Sequence, residues 1–240
     1  MRPEGKVPTE GSLPTRRMIV AALLPFILGA CTQTVPRGAG PIKPIQPRRT
    51  ADPYYVQMYA AVEDGGWTIP AIETTLVNPA FLRQEVSYPT ELAAGTIIVD
   101  PAAKFLYFTR EGGRAIRYGI GVGRDGFGWN GMATIRRKAA WPTWTPPAEM
   151  IARDPETSQY AGGMPGGLAN PLGARALYLY QGSRDTLYRL HGTNEPRSIG
   201  RAVSSGCVRL FNQDIIDLYR RAPIGTNVVV LGVDAETTGA

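Results

Sequence analysis

The chain has 240 residues, of which 43% are hydrophobic and 19% are charged, a balance typical of a globular protein and not of a disordered one. The formal net charge is +6, but part of the basic excess lies in the first 50 residues, and the remainder shows no clustered basic face. The sequence therefore argues against a nucleic-acid partner. The 28 glycines and 21 prolines predict many turns and short strands.

Residues 1–31 have the features of an export signal. Arg16-Arg17 precede the apolar stretch Met18–Leu28, which is shorter than the roughly 20 residues needed to span a bilayer. The run Leu28-Gly29-Ala30-Cys31 resembles a lipobox, which predicts cleavage before Cys31 and lipidation of its thiol. Thr32 after this cysteine favours the outer membrane of a Gram-negative bacterium, and hence a lipid-anchored periplasmic protein. The alternative is a buried apolar helix with an incidental cysteine, and Met18 is a second candidate for the start.

The rest of the chain divides by composition. Residues 32–53 are rich in proline, glycine, arginine and threonine, which predicts a flexible tether. Residues 54–90 are expected to pack on the main domain, with a short strand or helix at Tyr54–Tyr59. Residues 91–232 form the main domain, and residues 233–240 are a C-terminal tail. The sequence gives no indication of the oligomeric state.

The main domain is predicted to be mainly β with few helices. Short runs of β-forming residues alternate with turn residues, as expected for a β-rich fold. Pro101-Ala102-Ala103 is a candidate hairpin turn. The one clear helix follows Asn212, which is expected to cap Gln213–Arg221. The predicted strands are Gly95–Asp100, Lys104–Thr109, Arg114–Val122, Ala176–Tyr180, Leu187–Leu190 and Asn227–Leu231.

The single histidine of the chain and its second cysteine are candidates for nucleophilic catalysis. His191 opens His191-Gly192-Thr193-Asn194, and Cys207 follows after fifteen intervening residues, in Ser204-Ser205-Gly206-Cys207-Val208-Arg209-Leu210. A free cysteine has a pKa of about 8.5, so an imidazole within hydrogen-bond distance is needed to take its proton. The alternatives are a buried cysteine acting as a small hydrophobic residue and a structural histidine.

The residues around Cys207 fit the chemistry of acyl transfer. The N–H groups of Gly206 and Cys207 are candidates for stabilising a developing oxyanion. Arg209 lies two positions after Cys207, which in an extended chain puts both on one side. It is expected either to bind a substrate carboxylate or to form a surface ion pair.

These segments together resemble the YkuD-type L,D-transpeptidase domain. The resemblance rests on the His-Gly-Thr-Asn and Ser-x-Gly-Cys-Val-Arg-Leu motifs, and extends to Trp144-Thr145-Pro146-Pro147 and Asn170–Tyr178. It covers roughly residues 91–232. The fold that it implies is a mixed β-sandwich.

By this resemblance Cys207 is the nucleophile, His191 the base, and the Gly192 carbonyl the group that orients the imidazole. Trp144 is expected to line the substrate cleft or simply to pack on the domain. Many members carry a second histidine before the Gly-Cys pair, where this chain has Ser205. That difference affects the contact made near the oxyanion site and not the base.

The resemblance implies transpeptidation of peptidoglycan stem peptides through a cysteine thioester, forming cross-links or attaching protein to the wall. The alternatives are hydrolysis of the same bonds, as by an L,D-carboxypeptidase, and a non-catalytic wall-binding lipoprotein. No cofactor is expected, because Gly121–Gly126 matches a dinucleotide-binding pattern without the helix that must follow it. One histidine and one available cysteine predict no metal site.

Overall fold

In a computed structural model, the described residues are 51–123, 129–204 and 207–232. The chain divides into the units Met1–Gln46 and Pro47–Ala240, and all described residues belong to the second. The export signal with Cys31, the tether up to residue 50, Ser205, Gly206 and the tail lie outside the described residues. Within the described residues, no helix is long and apolar enough to cross a membrane.

Strands dominate the described residues. The strands are β1 (Val62–Asp64), β2 (Trp67–Ile69), β3 (Gln84–Ser87), β4 (Ile97–Asp100), β5 (Phe105–Arg110), β6 (Arg114–Gly119), β7 (Val122–Gly123), β8 (Gly131–Ala140), β9 (Arg175–Gln181), β10 (Arg184–His191), β11 (Ala202–Ser204), β12 (Val208–Arg209) and β13 (Asn227–Val230). The α-helices are α1 (Pro53–Met58), α2 (Ala148–Arg153) and α3 (Asn212–Arg221).

Nine of these strands form one mixed sheet in the order β12-β10-β9-β8-β13-β4-β5-β6-β3. The pairs β10/β12 and β13/β4 are parallel, and the other neighbours are antiparallel. The predicted hairpin is confirmed, since β4 and β5 pair from Ile97 opposite Phe108 to Asp100 opposite Phe105. The prediction of a mainly β protein with few helices is therefore confirmed.

The sheet curls around one hydrophobic core. Leu190 and Val208 from one end of the strand order and Ile116 and Tyr118 from the other end belong to the same buried cluster. Gly121, just after β6, also exchanges two backbone hydrogen bonds of 2.9 Å with Arg209 of β12. Because a flat sheet keeps its ends apart, these contacts require the two ends to approach each other.

Helix α3 closes this core with an apolar face on which Ile215 and Leu218 are fully buried. The sequence prediction for its first residue is wrong. Phe211 occupies the N-cap position without a side-chain cap, and Asn212 is already helical. The Asn212 amide is used elsewhere, between two backbone groups of neighbouring loops.

Strand β8 has no counterpart among the predicted strands, although it lies inside the sheet between β9 and β13. Its charged run Arg136-Arg137-Lys138 breaks the expected alternation. The pairing register shifts between Ile135 and Arg137, which marks an irregularity of the β-bulge type. Lys138 has an amphipathic side chain, and its Nζ donates to the carbonyl oxygens of Tyr219 at 2.6 Å and Ala222 at 2.8 Å.

Residues 54–90 contribute both an edge strand and core side chains. The segment at residues 54–58 is helical, and β3 pairs with β6 along the edge of the large sheet. Tyr59 is fully buried, and its hydroxyl donates to the Asp214 carboxylate on α3, at 3.1 and 3.0 Å from the two oxygens.

Candidate active site

The parallel pair β10/β12 brings the His191 and Cys207 segments together. Leu190 lies opposite Val208, and His191 lies opposite Arg209. Partners in a ladder share a face and residues two apart on a strand return to it, so His191, Arg209 and Cys207 lie on one face. Cys207 is thus a diagonal neighbour of His191, despite the fifteen residues between them.

The imidazole of His191 is fixed in one orientation. Its side chain is buried, with 4% of the residue exposed, and Nδ1 lies 2.6 Å from the Gly192 carbonyl oxygen. Because a carbonyl only accepts, Nδ1 carries the proton and Nε2 is left as an acceptor. Burial, together with the nearby Arg209 charge, lowers the pKa of His191 to about 4. The ring is therefore neutral at pH 7 and able to take a proton.

The backbone after His191 is held by Asn212. Asn212 Oδ1 accepts from the Ala174 N–H at 3.0 Å, and Nδ2 donates to the Thr193 carbonyl oxygen at 2.9 Å. The packing requires glycine at position 192, because a Cβ there would collide with Asn212 Oδ1 and lie 3.1 Å from the Ala174 nitrogen. Gly173 on the facing loop has φ +61°, a left-handed conformation that favours glycine.

The thiol of Cys207 lies against the backbone of β10. Its Sγ is 3.9 Å from the Leu187 carbonyl oxygen, and the Arg189 backbone also forms a hydrogen bond to the sulfur. Burial raises the pKa of Cys207, although the Arg189 hydrogen bond and the charges of Arg189 and Arg209 act in the opposite direction. With the His191 pKa lowered, the resting pair is a neutral thiol and a neutral imidazole. The sequence reasoning expected the imidazole to take the thiol proton and leave a thiolate–imidazolium pair. In the resting site the thiol keeps its proton, because burial disfavours both charged forms.

An irregularity in β10 produces this backbone arrangement. The β9/β10 register shifts between Asp185 and Arg189, and Leu187 has φ +64° with 75% of its surface exposed. The Asp185 carboxylate accepts from the Leu187 N–H at 2.8 Å and from both terminal nitrogens of Arg189, at 2.7 and 2.8 Å. Sequence reasoning missed Asp185, Leu187 and Arg189 as site residues. The predicted strand began at Leu187, and no local pattern signals a change of pairing register.

Arg209 forms an ion pair. Its NH1 lies 2.8 Å from Glu195 Oε2, and 17% of the Arg209 side chain is exposed against 64% of the Glu195 side chain. This geometry corresponds to the ion-pair alternative of the sequence analysis. Arg209 nevertheless shares the face of His191 and Cys207, where its charge affects both pKa values.

Trp144 belongs to a loop organised by Asn170. Trp144 and Met164 exchange backbone hydrogen bonds of 2.9 and 2.6 Å, and the Trp144 ring lies 6.1 Å from that of Tyr160. Asn170 is fully buried, and its Nδ2 donates to the carbonyl oxygens of Pro142, Met164 and Pro165. The hydrogen bonds and ring contact of Trp144 thus lie within this loop, whereas His191 and Cys207 lie on the β10/β12 pair.

The predicted oxyanion residues Ser205 and Gly206 lie outside the described residues, so their contacts stay predictions. Across the described part of the chain, no group of three or more His, Cys, Asp or Glu side chains is arranged to hold a metal ion.

The curled mixed sheet thus holds His191 at the end of β10 and Cys207 immediately before the neighbouring parallel strand β12, the residue types of a cysteine-dependent acyl-transfer site. Residues 94–230 match the YkuD family model, described as the L,D-transpeptidase catalytic domain. The chain therefore belongs to the YkuD family of L,D-transpeptidases.

Curated relatives agree with this assignment. The probable L,D-transpeptidase YbiS of Escherichia coli strain K12 is 34% identical over 160 residues, which cover 65% of this chain and 51% of the relative. A putative L,D-transpeptidase encoded in the ATP synthase subunits region of Fuscovulum blasticum is 34% identical over 165 residues, covering 64% and 82%. The chain spans about half the length of the Escherichia coli relatives it matches.

Among solved structures, a Brucella melitensis chain described as a probable carnitine operon oxidoreductase is 47% identical, with a TM-score of 0.46, over 65% of this chain and 96% of that one.

Proposed function

We propose that this protein exchanges amide bonds in peptidoglycan stem peptides through a thioester on Cys207. The observation that carries the proposal is the orientation of His191. Its Nδ1 is held by the Gly192 carbonyl oxygen at 2.6 Å, which reserves Nε2 for proton transfer on the face shared with Cys207. Membership of the YkuD family supports the same chemistry.

The proposed reaction begins from the neutral pair. His191 Nε2 takes the thiol proton as Cys207 Sγ attacks the carbonyl carbon between the third residue of the stem and its terminal D-alanine. The C–N bond breaks, the imidazolium returns the proton to the departing amine, and a thioester remains. An acceptor amine then attacks the thioester and loses a proton to His191. The C–S bond breaks and the imidazolium returns that proton to the sulfur, which leaves a new amide and the free thiol.

No nucleotide is consumed in this scheme, because one amide bond replaces another of similar free energy. In the proposal, the N–H groups of Gly206 and Cys207 stabilise the oxyanion of both tetrahedral intermediates. The acceptor is either a second stem peptide or a protein amine.

Incubation of the purified protein with muropeptides, followed by mass spectrometry of the products, tests the reaction. We expect a cross-linked product and released D-alanine with the unmodified protein, and neither with Cys207→Ala. His191→Ala is expected to lower the rate by about 10²–10⁴-fold, the usual contribution of a general base. Glu85→Ala is a matched control, because Glu85 lies on the edge strand β3 and its ion pairs are with Arg110 of β5 and Arg114 of β6, not with residues of the β10/β12 pair.

The products also discriminate between the alternatives. Released D-alanine without any cross-linked product would replace transpeptidation by hydrolysis, as in an L,D-carboxypeptidase. Unchanged muropeptides, together with wall binding that does not depend on Cys207, would leave a non-catalytic wall-binding lipoprotein.

We further propose that the protein is anchored in the outer membrane by a lipid on Cys31 and acts in the periplasm. The support is the sequence Leu28-Gly29-Ala30-Cys31 after a short apolar stretch, followed by the tether at residues 32–53. The mass of the mature N-terminal peptide tests this, because lipidation adds a diacylglycerol group to Cys31. Cys31→Ser should release the protein from membranes, and a mature chain that keeps residues 1–30 would contradict the anchor.

A further inference from the structure

A row of side chains crosses the sheet from β8 to the cysteine. Arg137 lies opposite Tyr178, and Tyr178 lies opposite Arg189 on the next strand. The guanidinium carbons of Arg137 and Arg189 lie 4.4 and 4.5 Å from the centre of the Tyr178 ring. The backbone of Arg189 in turn forms a hydrogen bond to Cys207.

The arginines on this face differ in their charge partners. Arg189 forms a bidentate pair with Asp185 at 2.7 and 2.8 Å, and Arg209 pairs with Glu195 at 2.8 Å. Arg137 is exposed and has no carboxylate partner among the described residues. Its guanidinium rests on Tyr178, which is itself only 7% exposed and thus a rigid support.

This arrangement suits recognition of a carboxylate. A guanidinium stacked on an aromatic ring keeps its N–H groups at the edge, where they match the two oxygens of a carboxylate. Because the stacking already fixes the side chain, binding costs less rotamer entropy than it would for a mobile arginine.

We propose that Arg137 binds a carboxylate of an acidic peptide substrate whose scissile carbonyl lies at Cys207. This inference rests on the proposed function. Three strand spacings of about 4.8 Å separate the Arg137 and Cys207 backbones, and the arginine side chain shortens the gap to roughly 10 Å. An extended peptide covers that distance with about three residues, at roughly 3.3 Å each. The bound carboxylate therefore belongs to the same peptide as the reacting carbonyl, a few residues away.

A binding experiment in the full chain with Cys207→Ser, which prevents turnover, tests the carboxylate site. The probes are an acidic stem tetrapeptide and analogues in which one carboxylate at a time is replaced by a carboxamide. Titration calorimetry compares Arg137→Met with Arg184→Met. Arg184 is exposed on β10, and its register position lies on the opposite face of the sheet from Tyr178. Its substitution therefore removes the same charge as Arg137→Met without touching the proposed site.

We expect Arg137→Met to weaken peptide binding about fivefold, with a smaller difference at high salt, and Arg184→Met to have little effect. The peptide analogue that lacks the recognised carboxylate should bind the protein with Arg137 intact about as weakly as the acidic peptide binds Arg137→Met. Arg137→Met should not weaken the binding of that analogue any further. Equal affinities of the two arginine variants for every peptide, or no binding of the acidic peptide at all, would overturn the inference.

Turnover by the protein with Cys207 intact separates this inference from the proposed function. If D-alanine is released equally well with and without Arg137 at limiting peptide concentration, the reaction stands and the carboxylate site is refuted. If the peptide binds through Arg137 but no D-alanine is released, the site stands and the proposed reaction is refuted. Thermal melting of both arginine variants checks that the exposed substitutions leave the fold intact.

Discussion

Replacement of Asn212 by alanine tests how the loop after His191 is held. The Asn212 amide joins the Ala174 N–H to the Thr193 carbonyl, and both of these residues are buried, at 0% and 3% exposed. The substitution leaves two polar groups without a partner, each of which costs about 1–3 kcal/mol when it is buried, and because both hydrogen bonds are only part-buried the lower part of the combined range applies. We therefore expect Asn212→Ala to lower the free energy of unfolding by about 2–4 kcal/mol.

The matched comparison is Asn78→Ala. Asn78 caps a short 3-10 helix by accepting from the exposed Ala80 N–H at 3.1 Å, so its loss is expected to cost about 0.5–1 kcal/mol. Urea denaturation of both variants gives the two free energies. Muropeptide turnover should fall in the Asn212 variant alone, because only this residue supports the backbone that orients His191.

A serine at position 212 separates the observed bridge from a helix cap. Serine is as good an N-cap as asparagine, but it is too short to join the two loops. If Asn212→Ser restored the stability lost in Asn212→Ala, Asn212 would act as a cap and the bridging argument would be refuted. We expect no such recovery.

Three further predictions concern ionisation and backbone strain. Burial raises the pKa of Asp214 to about 7, so this residue stabilises the fold at low pH, and the stabilisation is lost as pH rises through that value. The lowered pKa of His191 acts in the opposite direction and destabilises the fold as pH falls from about 6.5 to about 4. Asp214→Asn removes the first effect alone, so the melting temperature of this variant should fall more steeply on acidification than that of the unmodified protein. Because burial raises the pKa of Cys207, its alkylation by iodoacetamide, followed by mass spectrometry of its own peptide, should rise with pH well above about 8.5, and a plateau below pH 7 would contradict the neutral resting pair. Leu187 has a left-handed backbone with φ +64°, so Leu187→Gly should be about 1 kcal/mol more stable than Leu187→Ala in urea denaturation. A more stable alanine variant would contradict backbone strain at this position.

Local sequence patterns predicted much of the fold because strands are encoded by their own residues. The hairpin of β4 and β5 follows from two β-forming runs on either side of Pro101-Ala102-Ala103, and both strands are present. Strand β8 was missed because Arg136-Arg137-Lys138 breaks the alternation, and the bulge that accommodates these charges depends on the neighbouring strand β9.

Asn212 shows the same limit at the level of one side chain. Its type and position before an amphipathic run predicted a helix cap, which is a local role. Its actual partners, Ala174 and Thr193, lie 38 and 19 residues away in the chain. No pattern around residue 212 contains that information.

By itself, the sequence determined the family and the two segments that contain His191 and Cys207, since motif residues and their spacing are properties of the chain. Only the tertiary structure decided the register of β10 against β12, the Asp185–Arg189 bulge against the sulfur, the ion pair of Arg209 and the stacking of Arg137 on Tyr178. These features depend on which strands become neighbours in the fold. Burial where β10 meets β12 keeps the Cys207 thiol and the His191 imidazole neutral at rest, and burial cannot be read from the type of either residue.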